Sequence, residues 1–188
     1  PELIADYVAK HPDIPMVLRG NGVNKGLAQN YVDASFIGRG RYIKLFCGDN
    51  TEPVESIRAI CRHIGEADIV SPYYSSVVGK PQSRMLISRT YTSLVNLVSG
   101  NRLRYYNGLA LHLRYNVMRW HPNSRGFGFQ ADIMCMLLDQ GLSIIEVPVP
   151  AINRAPSRAL TVKNILSVGH TLLEIALRRI ANRVYRKK

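Results

Sequence analysis

Between residues 24 and 53 a helical pattern gives way to an apolar strand, and that strand ends on a turn carrying a lone carboxylate, Asp49. Leu27, Tyr31, Ala34 and Ile37 recur at helical spacing, which predicts a helix over 24–37. Tyr42-Ile43-Lys44-Leu45-Phe46-Cys47, bounded by Gly40 and Gly48, predicts a strand over 41–47. A helix feeding a strand whose far end bears an acid is how open α/β sheets are built, with ligand chemistry outside the carboxyl ends of their strands.

The remaining pattern repeats the alternation. Helices are predicted over 2–10, 53–64, 83–98 and 129–138, and strands over 15–18, 67–71, 108–113 and 143–147, the last closed by Pro148 and Pro150. Ile87, Tyr91, Leu94, Val95 and Val98 form one stripe of the long central helix. A final helix starts near 161, with Val168, Leu172, Ala176, Ile180 and Val184 spaced four apart as one amphipathic face. Strands alternating with helices imply an α/β fold, a mainly parallel sheet with helices on both faces. The chain has 188 residues, 46% of them hydrophobic, enough for one core. Residues 1–160 read as that domain, and 161–188 as an added basic amphipathic helix.

A formal net charge of +12 points to anionic partners: nucleic acid, acidic lipid or phosphorylated substrate. Aromatics and cations do not interleave in a nucleic-acid motif, which argues against the first. Cys47, Cys61 and Cys135 are widely spaced in apolar segments and read as buried reduced thiols. No His or Cys cluster has zinc spacing, and no Ser or Cys nucleophile signature occurs. The sequence opens without the blocks of a secretion signal, and no apolar run reaches the ~20 residues of a membrane span. The expected location is cytoplasmic, or peripheral on the inner face of a membrane.

Asn24-Lys25-Gly26, then Gly40-Arg41-Tyr42, then Cys47-Gly48-Asp49 followed by Pro53, resemble the heart of a family 2 glycosyltransferase. That family carries an Asn-x-Gly helix, a Gly-x-Tyr lead into a strand and an Asp-x-Asp motif in this order. Cys47 stands where the first acid of the motif would be. Gly126-Phe127-Gly128-Phe129-Gln130-Ala131-Asp132, with Glu146-Val147-Pro148 downstream, is similar to segments of polyprenyl-phosphate sugar transferases in the same family. The resemblance spans 2–167 and implies a GT-A fold, a nucleotide-sugar donor, a phosphorylated, polyprenyl-type acceptor and a divalent ion, Mg²⁺ or Mn²⁺, on Asp49. It further implies substrate contacts from Asn24, Gly26, Gly48, Asn107, Gln130, Arg154, Ser157 and Arg158. Arg104 stands where many relatives carry an acid before Asn107-Gly108, a change that suits an anionic acceptor. Set against that family, the chain lacks the first strand-helix-strand unit. A preceding segment or another copy would supply it, so a homo-oligomer is among the expected partners.

Several alternatives stay open. Asp132 is a catalytic base, an orienter of an already anionic acceptor, or a first-turn helix acid favoured by the macrodipole. The Arg154–Arg158 turn binds phosphate through guanidinium forks or is a solvated basic loop. The basic end of the last helix, Arg178 to Lys188, meets an anionic membrane surface or lies in solvent beside a helix packed on the sheet. With Cys47 in the metal motif, a catalytically degenerate binding or scaffold protein is the second functional reading.

Overall fold

A computed structural model describes residues 2–48, 51–78, 82–122, 126, 128–152 and 161–185. Its elements are α1 (Glu2–Lys10), α2 (Leu27–Ile37), β1 (Tyr42–Lys44), α3 (Val54–Cys61), β2 (Ile69–Val78), α4 (Gln82–Ser99), β3 (Leu111–Leu113), α5 (Arg114–Met118), α6 (Phe129–Asp139), β4 (Ile144–Ile152) and α7 (Val162–Tyr185). The expected strand over 15–18 is absent: these residues hold no regular structure, and Val17 and Leu18 are exposed. An extended segment becomes a strand only when a neighbour takes its backbone hydrogen bonds.

Helix α2 starts behind Gly26, whose φ of 80° only glycine adopts without strain. The Gly26 amide donates to Asn24 Oδ1 at 2.8 Å, closing a side-chain turn that launches the helix. The buried face is Ala28, Tyr31, Val32 and Ser35, not the expected stripe, of which Leu27 and Ile37 lie in solvent. Small side chains at 28 and 35 let α5 pack closely, and Tyr31 reaches β1 by donating to the Ile43 carbonyl at 3.2 Å. Arg114 of α5 then fastens the turn between α2 and β1, donating to Gly40 O at 2.8 Å and to Ser35 O at 3.0 Å.

The four strands form one sheet in the order β1-β3-β2-β4. The longest pairing, β2 with β4, is parallel, with Ile69 opposite Ile144 and Val78 opposite Ile152. Strand β3 runs against both its neighbours, with Ile43 opposite His112 and Ile69 opposite the same residue. Hydrophobic periodicity tells which face a strand covers but not its direction, so this reversal had no signal in the sequence. β4 continues through Pro148 and Pro150, the residues expected to close it. It is an edge strand, where a missing N–H on the outer side costs no ladder bond. Pro72 in β2 is tolerated for a related reason, since β3 pairs with β2 only at Ile69 and Val70.

Ile69 and Val70 alternate to opposite faces and mark two cores. Ile60 of α3 packs with Val70, Leu111, Val147 and Val149 on one face. The larger core, on the other, collects residues of α2, α4, α5, α6 and α7, including Trp120, Ile133, Met134 and Ile175. Cys135 lies in it, where burial pushes the thiol up to about 12, while Cys47 and Cys61 are exposed rather than buried. Among the described residues no helix is long and apolar enough to cross a membrane.

The row read as one amphipathic face of α7 does not stay on one side of the helix. Thr171 and Ile175 are buried, whereas Ile180 and Val184 are 58% and 61% exposed. Residues four apart advance about 400° on a helix of 3.6 residues per turn, so each step drifts about 40°. Over the four steps from Val168 to Val184 the row winds from the core side to the outside.

Candidate active site

Strand β1 ends on Lys44, whose side chain is only 3% exposed. Its ammonium donates to Leu109 O at 2.7 Å and pairs with Glu52 Oε1 at 2.8 Å. Burial pulls the lysine below its ordinary pKa, and Glu52 opposes that shift. The pair ties the turn after β1 to the segment entering β3. The second oxygen, Glu52 Oε2, is buried without a partner. Cys47 and Gly48 follow Lys44 and are exposed. Asp49, the expected metal ligand, lies outside the described residues, as do Arg154, Ser157 and Arg158.

Across the sheet end, residues 104–110 are held tightly. Arg104 places its guanidinium 4.7 Å from the Tyr73 ring centre and donates to the Tyr73 hydroxyl at 2.6 Å, while its backbone N–H donates to Glu146 Oε1 at 2.7 Å. Tyr106 donates to Asn96 Oδ1 at 2.8 Å. A side chain at Gly108 would collide with the Pro72 carbonyl, so only glycine fits there. Asn107 Oδ1 is buried and unpartnered just before it. Buried polar atoms without partners are scarce in folded proteins and each asks for an explanation.

Helix α6 supplies the third group. Gln130 in its first turn is buried beside His112 of β3, close enough to act on the ring as a hydrogen-bond partner although the distance and angle fall short of a formed bond. Complete burial drives His112 down to about 4, with Gln130 opposing and Lys44 assisting the shift. His112, opposite Ile43, faces the larger core with α6, whereas Lys44, opposite Leu111, faces the smaller core on the other side of the sheet.

Asp132 points another way. Its carboxylate takes the Trp120 indole N–H on Oδ2 at 3.0 Å and the Arg178 guanidinium on Oδ1 at 2.7 Å, and Arg178 also donates to the Asp132 carbonyl at 3.2 Å. The side chain is 6% exposed. The expected acid is therefore the anchor point of α7 on α6. Asn24 and Gly26 hold each other in the turn before α2. The described structure thus brings the Lys44–Glu52 pair to the segment that carries Asn107 and Leu109, leaves Gln130 with His112 on the opposite face of the sheet, and turns Asp132 toward α7.

Lys44, Glu52, His112, Trp120 and Arg178 were not anticipated as site residues. Their traces in the sequence were slight: a cation inside an apolar strand at 44, a histidine between two leucines at 112, and arginines on the inward side of α7. Among the described residues no three of His, Cys, Asp and Glu gather to hold a metal. The spare Glu52 oxygen, three positions after Asp49, is a hard donor that suits Mg²⁺ or Mn²⁺. Such ions need only one or two carboxylates when substrate phosphates complete the shell.

No protein-family model matches the sequence, and no curated protein matches it. Solved structures do match the fold. Glucosyl-3-phosphoglycerate synthase from Mycobacterium tuberculosis with UDP is similar over 88% of this chain and 57% of its own, at 19% identity and a TM-score of 0.60. The same enzyme with Mn²⁺, UDP-glucose and phosphoglyceric acid gives 17% identity and a TM-score of 0.63 over 88% and 57%. A mycobacterial protein gives 18% identity and a TM-score of 0.63 over 93% and 60%. The chain thus spans less than two thirds of the length of these neighbours. Within that span, its α/β architecture is the glycosyltransferase fold of the GT-A type.

Proposed function

We propose that the chain is a glycosyltransferase that moves a sugar from a nucleotide-sugar donor to a phosphorylated acceptor, of polyprenyl-phosphate type in the finer reading, with inversion. The observation behind it is the likeness, over 88% of the chain, to an enzyme holding Mn²⁺, UDP-glucose and phosphoglyceric acid. In such a transfer an acceptor oxygen bonds to the anomeric carbon as its bond to the diphosphate oxygen breaks. The nucleoside diphosphate leaves with the electron pair. A phosphate monoester already presents an anionic oxygen, so no proton has to be removed, whereas a hydroxyl acceptor requires a base.

That difference bears on Asp132. A carboxylate offers about four lone-pair sites, two of them here taken by Trp120 and Arg178, so its orientation is fixed. A fixed, already paired acid suits positioning the start of α6 more than proton abstraction. Asn107 brings an unsatisfied acceptor oxygen to the sheet end, suited to a sugar hydroxyl, and the buried Gln130 amide, beside His112, is the second described group proposed to contact substrate. In this reading Asp49 holds the divalent ion, which neutralises charge on the diphosphate. Asn24, Gly26 and Gly48 shape the donor side, and Arg154, Ser157 and Arg158 bind acceptor phosphate.

A second reading, a degenerate binding or scaffold protein, draws on the exposed Cys47 in the metal motif and the engaged Asp132. Calorimetric titration of UDP- and GDP-sugars with and without Mn²⁺ separates them. Metal-dependent donor binding followed by donor hydrolysis supports the transferase, and binding without turnover on any phosphorylated acceptor favours the scaffold.

A further inference from the structure

Helix α7 is built the wrong way round for a helix that ends its work at the core. Its inward side carries Thr171, Ile175 and two arginines, Arg178 on Asp132 and Arg179 on Asp139 at 3.3 Å. Its outward side carries Val162, Leu166, Leu173, Leu177, Ile180 and Val184, between 53% and 74% exposed. On a helix of 3.6 residues per turn these six fall within a sector about 60° wide, opposite Thr171 and Ile175. Gly169 lies about 20° beyond the edge of that sector and adds no polar group. A continuous exposed row of large apolar side chains along a helix marks an interaction surface.

Charge selects the occupant. The chain carries a net +12, and the sequence 161–188 contains one carboxylate, Glu174, against Lys163, Arg178, Arg179, Arg183, Arg186, Lys187 and Lys188. Arg178 and Arg179 are turned inward to their aspartates, which leaves Arg183 exposed near the end of the apolar row, with Arg186, Lys187 and Lys188 following it in the sequence. A second copy laid on the row would bring two strongly positive bodies together with a single acid per helix to offset them. A bilayer with anionic headgroups takes both the apolar row and the basic end, the pattern of interfacial helices.

We infer that the outward row of α7 is a docking surface for an anionic lipid bilayer, with the helix lying in the interface plane between the sheet domain and the headgroups. This surface is independent of the sugar-transfer reading. Its test is co-sedimentation of the full chain with vesicles of phosphatidylglycerol and phosphatidylcholine in equal parts, and with phosphatidylcholine alone. The expected result is binding to the anionic vesicles that weakens with salt, no binding to the neutral ones, and at least a tenfold loss (~10-fold, the scale of 1.4 kcal/mol) in the triple variant Leu166→Gln, Leu173→Gln, Leu177→Gln. All three side chains are exposed, so the variant keeps its fold, which circular dichroism checks. Absent vesicle binding, or binding the variant leaves unchanged, overturns the inference. So does a wild-type dimer that the variant turns into a monomer in sedimentation equilibrium, since that result gives the row to a second copy.

Discussion

At the scale of single residues, the polar groups buried at the sheet end govern what can be measured. Lys44 and Glu52 make a nearly buried ion pair, and removing one member of such a pair leaves the other charge without compensation. Lys44→Met is expected to lower unfolding stability by about 2–4 kcal/mol, because Glu52 and the Leu109 carbonyl lose their donor. The double variant Lys44→Met, Glu52→Gln recovers part of that loss, and urea titration of all four members of the cycle gives the coupling. His112 makes a pH prediction. Its folded pKa of about 4 lies below the ordinary 6.5, so between those values the unfolded chain binds a proton that the folded chain refuses. Stability then rises with pH across this window, and it falls by roughly 3 kcal/mol as pH drops from 6.5 toward 4. His112→Leu removes that dependence, so the difference between the two urea midpoints closes as pH falls. Of these residues the sequence showed only that a histidine and a lysine sat in apolar strands. Whether such a residue ends in a core or at a surface is decided by strands and helices far away in the chain, which is why neither was marked as part of a site.

At the scale of elements, what was legible followed local periodicity and what was not followed partners. Helices α1, α4 and α6 lie within a few residues of their predicted spans, since helical spacing and a bounding glycine are local signals. The strand expected at 15–18 needed a neighbour that the described chain does not place beside it, and β2 and β4 grew longer than expected because each extends the other. The face of α2 was misjudged and the side α7 turns to the core was left open for one reason: in a helix with apolar residues on more than one side, the sequence does not say which side finds the core. The seam between α6 and α7 shows how tightly the tertiary choice is made. A Cβ on Gly126 would meet Ser167, and a Cβ on Gly128 would meet Thr171. Gly128→Ala is therefore expected to cost about 1–3 kcal/mol as an overpacked contact. Adding Thr171→Gly, which vacates the space, is expected to restore much of it in thermal unfolding. A full cost retained in the double variant would place the strain in the backbone of the turn before α6 and not in the seam.

At the scale of the whole molecule, the two acids that the sequence singled out divide the proposed chemistry between them, and the different roles proposed for them make the division testable. Asp49 comes directly after Cys47 and Gly48 in the sequence, both exposed, and itself lies outside the described residues, whereas Asp132 is clasped by Trp120 and Arg178 beneath α7. If the chain transfers sugars, Asp49→Asn removes one carboxylate ligand and weakens donor binding in Mn²⁺ while leaving metal-free binding and thermal stability nearly unchanged. Asp132→Asn keeps metal-dependent donor binding. It loses stability, because half-buried Arg178 keeps only its longer 3.8 Å approach to Asp139, and it lowers turnover by at least ~10-fold, the scale of 1.4 kcal/mol of lost positioning. The acceptor adds a third axis. With a phosphate monoester as nucleophile, the turnover of Asp132→Asn keeps the wild-type pH profile, since no proton is taken from the acceptor; a profile that changes with a hydroxyl acceptor would assign Asp132 the base's role in place of positioning. Donor hydrolysis and transfer rates for both variants, measured with sugar nucleotides against the two acceptor types, give four outcomes that the present geometry separates. Equal and full activity of both variants would remove Asp49 and Asp132 from the chemistry and leave the fold with the binding role alone.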